Sequence, residues 1–159
     1  MRAEQDVREA IAEEAEASHS LHLKVGELLG LKSSIASEID LVDRLENGLP
    51  VGVVQALRTR VGLSDEEIYQ LIAPRRTLNR REAERQALSR DEADRVVRVA
   101  RIAARAQQVF SARPVYALEW LRTAQRSLGD RTPIHVLVSD AGARAVEELL
   151  IGIEYGQFG

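Results

Sequence analysis

From about residue 50 to residue 155 the apolar side chains recur every three or four positions, and no stretch alternates apolar with polar as a strand would. The pattern predicts an all-α chain. Val53, Val54, Leu57 and Val61 share one face of a helix entered through the turn Asn47-Gly48-Leu49-Pro50 and closed by Gly62, with Leu63 packing beside the next start. Ser64-Asp65-Glu66-Glu67 has the spacing of a capping box, in which the Ser64 hydroxyl accepts from the Glu67 amide and the Glu67 carboxylate reaches back. Ile68, Leu71 and Ile72 form the apolar face of the helix it opens, and Pro74 stops that helix by forcing the residue before it out of helical geometry. A third short helix, about Arg75 to Glu84, has Leu78 as its one large apolar residue.

A second capping box, Ser89-Arg90-Asp91-Glu92, opens the most sustained stripe in the chain: Ala93, Val96, Val97, Ala100, Ala103, Ala104 and Phe110, over about six turns. Arg95, Arg98, Arg101 and Arg105 line its far face. Asp91 and Asp94 stand four residues before Arg95 and Arg98 and are expected to pair with them, leaving Arg101 and Arg105 without such partners. After a turn at Ser111-Ala112-Arg113, Pro114 starts a helix with Val115, Leu118, Trp120, Leu121 and Leu128 inward, expected to end at a glycine cap, Leu128-Gly129-Asp130. Thr132-Pro133 predicts one helical turn from Ile134 to Val138. Ser139 or Asp140 caps the last helix, which buries Val146, Leu149, Leu150 and Ile153. Upstream, residues 3–17 read as a solvated, fraying helix with little to pack. Residues 18–40, whose apolar positions are interrupted by Gly26 and Gly30, read as a short helix or irregular segment docking on the domain after it. The expected organisation is a helical, partly disordered extension over 1–38, a first unit over 39–95 and a second over 96–159, the two units sharing the long helix from 89 to 110.

The 159 residues suffice for one compact domain or two small helical ones. Absence of cysteine excludes disulfide scaffolds, thiol catalysis and thiolate metal sites. No apolar run approaches a membrane span and the start lacks a signal peptide's apolar stretch, so no membrane partner is expected and the expected compartment is the cytoplasm. Net charge is only −3, but it is unevenly placed: residues 1–50 hold 11 acids against 5 bases, whereas residues 75–105 hold 10 arginines against 5 acids. A concentrated basic segment governs encounter with nucleic acid more than total charge does.

Candidate chemistry for catalysis is thin. His19 and His22 stand at i and i+3 near Glu16, a weak metal spacing; His135 stands alone; and no glycine-rich phosphate loop occurs. No catalytic residue, cofactor or metal is expected. The run 51–85 is more informative: a helix, a sharp stop, and a short helix carrying Arg75, Arg76, Thr77, Asn79, Arg80 and Arg81, with Arg85 just beyond, has the layout of a helix-turn-helix. Arginines and a helix N-terminus attract phosphates, and Asn79, Thr77 or an arginine can read base edges. The bland alternative is an Arg-rich solvated helix, its field tempered by Glu82 and Glu84. Five of the six aromatics lie in the last fifty residues. A core accounts for Phe110 and Trp120, whereas Tyr155 and Phe158, flanked by Gly156 and Gly159, suit anchors for a partner's pocket; the alternative is a tail folded back on its own domain.

Positions 39–159 resemble the Xre/MbcA/ParS-like antitoxins that pair with RES-domain toxins. The resemblance is carried by Leu49-Pro50, Gly62-Leu63-Ser64, Arg75-Arg76-Thr77-Leu78, Leu88 to Arg95 and Val99-Ala100-Arg101-Ile102. C-terminally it is carried by Trp120-Leu121-Arg122-Thr123, Leu128-Gly129, Arg131-Thr132-Pro133-Ile134, Asp140-Ala141-Gly142-Ala143, Val146 and Ile153-Glu154-Tyr155-Gly156. It implies a DNA-reading helix-turn-helix within 50–85, with Arg75, Arg76, Thr77, Asn79, Arg80, Arg81 and Arg85 toward operator DNA, and a toxin-binding domain over about 96–159. It further implies an antitoxin of a type II toxin–antitoxin system that neutralises a RES toxin, an NAD-depleting enzyme, through the C-terminal end, Glu154, Tyr155, Gly156, Gln157 and Phe158, with Trp120 as a further toxin-binding residue. Dimerisation or a higher assembly and repression of the operon are implied as well. Two departures stand out: Pro74 in the turn, where such turns often use a glycine-like residue, and Ala124-Gln125-Arg126, where the family often has asparagine and proline. The alternative function is a stand-alone Xre-type regulator whose C-terminal domain only dimerises. A third, an adaptor without DNA binding, requires the segment Arg75 to Arg85 to be buried in an interface.

Overall fold

The computed structural model describes residues 1–111 and 113–156. Among them the chain forms nine α-helices and no strand: α1 (Arg2–Leu28), α2 (Glu38–Asn47), α3 (Gly52–Leu57), α4 (Asp65–Leu71), α5 (Arg75–Ala83), α6 (Arg90–Val109), α7 (Pro114–Leu121), α8 (Pro133–Val136) and α9 (Asp140–Glu154). A π turn, Arg58–Gly62, continues α3, and a 3₁₀ turn, Arg126–Leu128, precedes α8.

The centre of the molecule is α6. Both capping boxes form, Ser64 with Glu67 at α4 and Ser89 with Glu92 at α6. The α6 stripe is buried from Ala93 to Ala106 and is mostly alanine, so its neighbours approach closely; α1, α2, α3, α4, α7 and α9 all pack on it. Leu57, Ile68, Ile72 and Leu78 close the first unit around its N-terminal half, and Val146, Leu149, Leu150, Leu121 and Ala117 close the second.

The structure corrects four expectations. Residues 18–28 are neither short nor irregular but complete α1: Gly26 lies inside the helix rather than breaking it, and packs against Ile35, which even a Cβ there would meet only in ordinary contact. The break comes at Gly30, which takes φ +66, against Ala56. Next, α7 stops at Leu121 rather than running to Leu128. The chain folds back through a bridge between Gln125 and Arg131, so Leu128 packs from a separate turn before Gly129 takes its left-handed cap. Val115, expected to point inward, faces solvent at 70 % exposure, and Leu118 and Trp120 are half-buried.

The remaining two corrections concern the α6 arginines. Arg95 and Arg98 do not pair with Asp91 and Asp94: Arg95 donates to the Ile72 carbonyl at 3.0 Å, and Arg98 donates through Nε and Nη2 to Asp140 Oδ1 at 2.8 and 2.5 Å. Arg101 and Arg105, expected to lack partners, are also engaged, Arg101 with Glu38 at 2.6 Å and Arg105 with Glu154 at 2.5 Å. The cause is geometric. Each guanidinium reaches an acceptor on a neighbouring element: the backbone carbonyl of Ile72 for Arg95, and for the others the carboxylates of Asp140, Glu38 and Glu154, which α2 and α9 bring alongside as they pack on α6.

In the second unit, Thr132 caps α8 and Ser139 caps α9. The two helices meet where the Val136 carbonyl backs onto Gly142: a Cβ at that position would fall 1.9 Å from the Val136 oxygen. Across the units, Arg122, just past α7, donates through Nε and Nη2 to both Glu67 carboxylate oxygens at 2.8 Å and to the Gly62 carbonyl at 3.1 Å. The arginine hydrogen bonds outweigh burial and hold the Glu67 carboxyl below its ordinary pKa. None of the described helices is long and apolar enough to cross a membrane.

Candidate functional site

Two surfaces gather the candidate residues, one at each end of the molecule's organisation around α6. The first is the pair α4 and α5. Ser64 starts α4; Ile68 and Leu71 bury its inner face; and the turn Ile72-Ala73-Pro74 is itself buried through Ile72 and Ala73. Arg95 pins this turn from α6 through the Ile72 carbonyl. Pro74 sits at the N-cap of α5 with ψ 148, an extended geometry that proline accepts and that sets the sharp angle between the helices. Only Leu78 anchors α5 inward.

The other side chains of α5 divide by face. Arg75, Arg76, Asn79 and Arg80, two adjacent pairs one helical turn apart, are exposed together, and Thr77 is half-buried beside them. Among the described residues none of Arg75, Arg76, Arg80 or Arg85 has an ion-pair partner. Arg81 differs: its Nε lies 2.5 Å from Glu92 Oε2 and its Nη1 donates to the Ala87 carbonyl at 3.1 Å, so it ties α5 to the start of α6. Burial pushes the Glu92 carboxyl up, but the Ser89 amide and Arg81 outweigh it and hold the pKa below the ordinary value. Arg85 ends the helix in left-handed geometry, φ 53, while the Gln86 amide donates back to the Arg81 carbonyl. Nine residues of α5 span about 13 Å, a length that fits a DNA major groove.

The second surface is the C-terminal end of α9. Val146, Leu149 and Leu150 seat the helix, Ile153 is half-buried, and Glu154 is clasped to Arg105. Tyr155 then stands 72 % exposed, and Gly156 turns away with φ +67. Gln157 and Phe158 lie outside the described residues. Trp120 is not part of this end: it packs on Phe110, ring centroids 5.8 Å apart, at the corner of α6 and α7. Beside it Arg113 lies over the exposed Tyr116 ring.

The histidines serve the fold. His19 Nδ1 donates to the Ala36 carbonyl, while His22 bridges the Ser18 carbonyl and Glu38 Oε2. Burial raises the Glu38 carboxyl, but hydrogen bonds from His22 and Arg101 override it and lower its pKa. Among the described residues no group of three or more such side chains is placed to hold a metal ion. His135 is exposed.

Comparison with known proteins finds two family models along the chain, one containing α5 and the other containing α9. Residues 40–101 match the antitoxin Xre-like helix-turn-helix domain, and residues 105–156 match the antitoxin Xre/MbcA/ParS C-terminal toxin-binding domain. A protein called antitoxin Xre from Pseudomonas putida is 32 % identical over 138 residues, 87 % of this chain and 85 % of its own length. The chain belongs to the Xre antitoxin family. Proteins of the same description from Yersinia enterocolitica and Photorhabdus laumondii are 29 % and 27 % identical, over 74 % and 80 % of this chain and 80 % and 86 % of their own lengths. The protein is therefore an antitoxin of a toxin–antitoxin system, all-α, with a helix-turn-helix domain followed by a toxin-binding domain. The stand-alone regulator is disfavoured by the second match, since the half it treats as a dimerisation module is related to toxin-binding domains.

Sequence reasoning missed two groups. The clasps Arg98–Asp140, Arg101–Glu38 and Arg105–Glu154 join residues too distant in sequence for any spacing rule. Ile151, exposed beside Tyr155, was hidden because its position in the stripe adjoins residues that are buried.

Proposed function

We propose that this antitoxin neutralises a RES-domain, NAD-depleting toxin of a type II system by placing the end of α9 and the residues after it over the toxin's active-site entrance. The observation that carries this reading is Tyr155: a large ring held 72 % exposed at the end of a helix whose last acid is clamped to Arg105, within a domain related to toxin-binding domains. A clamped helix end delivers the ring at little entropic cost, and burying one aromatic contributes roughly 1.5–3 kcal/mol to association. Glu154, Tyr155, Gly156, Gln157 and Phe158 form the contact, and Trp120 supports the domain from the α6–α7 corner. Deleting residues 154–159 is expected to leave a folded protein that no longer protects cells expressing the toxin; unchanged protection overturns the tail mechanism.

The antitoxin works in the cytoplasm as a homodimer or larger assembly and represses its own operon through α5. Arg75, Arg76, Arg80 and Arg85 contact phosphates or guanine edges, Thr77 and Asn79 reach base edges, and Arg81 acts by fixing α5 on Glu92. The support is the exposed, unpaired face of α5 in a helix-turn-helix domain. Absence of any preference for its own promoter at modest salt, with or without toxin, overturns this part.

A further inference from the structure

The N-terminal half of α1 lies outside both family matches, which begin at residue 40. Every residue from Met1 to Ser20 is exposed, including Val7 at 56 % and Ile11 at 61 %. Ala3, Val7, Ala10 and Ile11 continue, at helical spacing, the line of Leu21, Val25 and Leu28 that packs against the domain further along. The fold itself leaves this continuation of the stripe uncovered.

That half-helix runs beside the end of α9. Together they wall an open groove of about 660 Å³, with Ala10, Glu14 and Ala17 on one side and Ile151, Glu154 and Tyr155 on the other. One wall thus belongs to the stretch related to toxin-binding domains. The charges specify what fits. Glu154 is neutralised by Arg105, while Glu13 and Glu14, both lining the groove, have no ion-pair partner among the described residues. Residues 2–20 hold six acids against two arginines, a net of −4.

We propose that this groove seats a segment of the toxin that presents an apolar ridge flanked by basic residues, so that α1 is the second wall of the toxin-binding surface. The inference rests on the reading that the end of α9 meets the toxin. A second copy of this chain is the poorer occupant, because it would set one acidic half-helix against another and like charges repel across so short a gap. The toxin alone is met on both walls at once.

The test uses the full-length antitoxin and the purified product of the reading frame adjacent to its gene. Failure of the unmodified protein to bind that product overturns the proposed function and this inference with it. Given binding, Glu13→Lys/Glu14→Lys is expected to weaken it at least tenfold at about 50 mM salt, with the difference shrinking toward about 0.5 M as the charges are screened. Val7→Asp/Ile11→Asp is expected to weaken it at both salts, with the mass of the free antitoxin in solution unchanged. Both substitutions lie on exposed positions, so circular dichroism should match the unmodified protein. Wild-type affinity in both variants overturns the role of α1 while leaving the tail mechanism standing, since deletion of 154–159 tests that separately. A change in the mass of the free antitoxin reassigns the stripe to self-association and equally overturns the inference.

Discussion

Helices α5 and α6 are consecutive and rich in the same side chain, four arginines in nine residues and five in twenty, yet the two sets are used differently. On α6, four of the five are bonded to groups on other elements: the Ile72 carbonyl, Asp140, Glu38 and Glu154. On α5, only Arg81 is engaged, and Arg75, Arg76 and Arg80 face outward around a single inward anchor, Leu78. The difference teaches that a cationic stretch keeps its charge free for solvent only where the fold brings no acid alongside to meet it. α6 lies at the centre of the molecule, with acids of α2 and α9 brought alongside; α5 lies at the edge.

Substitutions can break that contrast. The largest effect is expected from Glu92→Ala, which removes a 7 % exposed carboxylate that both caps α6 and holds Arg81. The loss of stability should be about 3 kcal/mol, read from urea unfolding, because a partly buried guanidinium is left without its counter-charge. Next, Arg75→Ala/Arg76→Ala/Arg80→Ala should lower affinity for the operon's promoter about a hundredfold at low salt. It should also reduce the slope of log affinity against log salt by about 2.7, without shifting the unfolding midpoint. Arg98→Ala should do the reverse, costing about 0.5–1 kcal/mol of stability while leaving the salt slope unchanged, since Asp140 is well exposed. Equal loss of DNA affinity in the α5 and α6 variants would erase the distinction.

The smallest effect is the pH dependence. Glu67 and Glu92 have folded-state pKa values below the ordinary 4.5, so their stabilisation is present above that value and is lost as pH falls through the depressed ones. Thermal unfolding followed from pH 6 downward should therefore show the midpoint dropping below about pH 4.5, with a shallower drop in Glu67→Gln.

The local features of this fold are written in short spacings and were legible. The serine and glutamate of each capping box are three residues apart, and the α6 stripe needs only helical periodicity. The helix-turn-helix layout was readable in the same way, from Ile68 and Leu71 to the proline stop and the arginines beyond it. The arginine clasps were not, because Arg98 lies 42 residues from Asp140 and Arg101 lies 63 from Glu38. Only the folded chain decides whether Asp94 or Asp140 wins Arg98. The end of α7 was hidden for a related reason: Arg122-Thr123-Ala124-Gln125 contains neither glycine nor proline, and the chain turns there because Gln125 bridges to Arg131. At the candidate site, the exposure of Tyr155 followed from its place at the end of α9, and the packing of Trp120 on Phe110 agrees with the reading that a core accounts for both rings.

The meeting of Val136 and Gly142 has a consequence for how the second unit tolerates change. Any residue other than glycine begins with the one carbon for which that junction has no space, and the obstacle is main chain rather than a side chain that could swing aside. The short helix α8 and the long helix α9 are thus joined as a fixed elbow. An alanine placed at its bend would have to lever the far end of α9, Tyr155 included, off its present bearing.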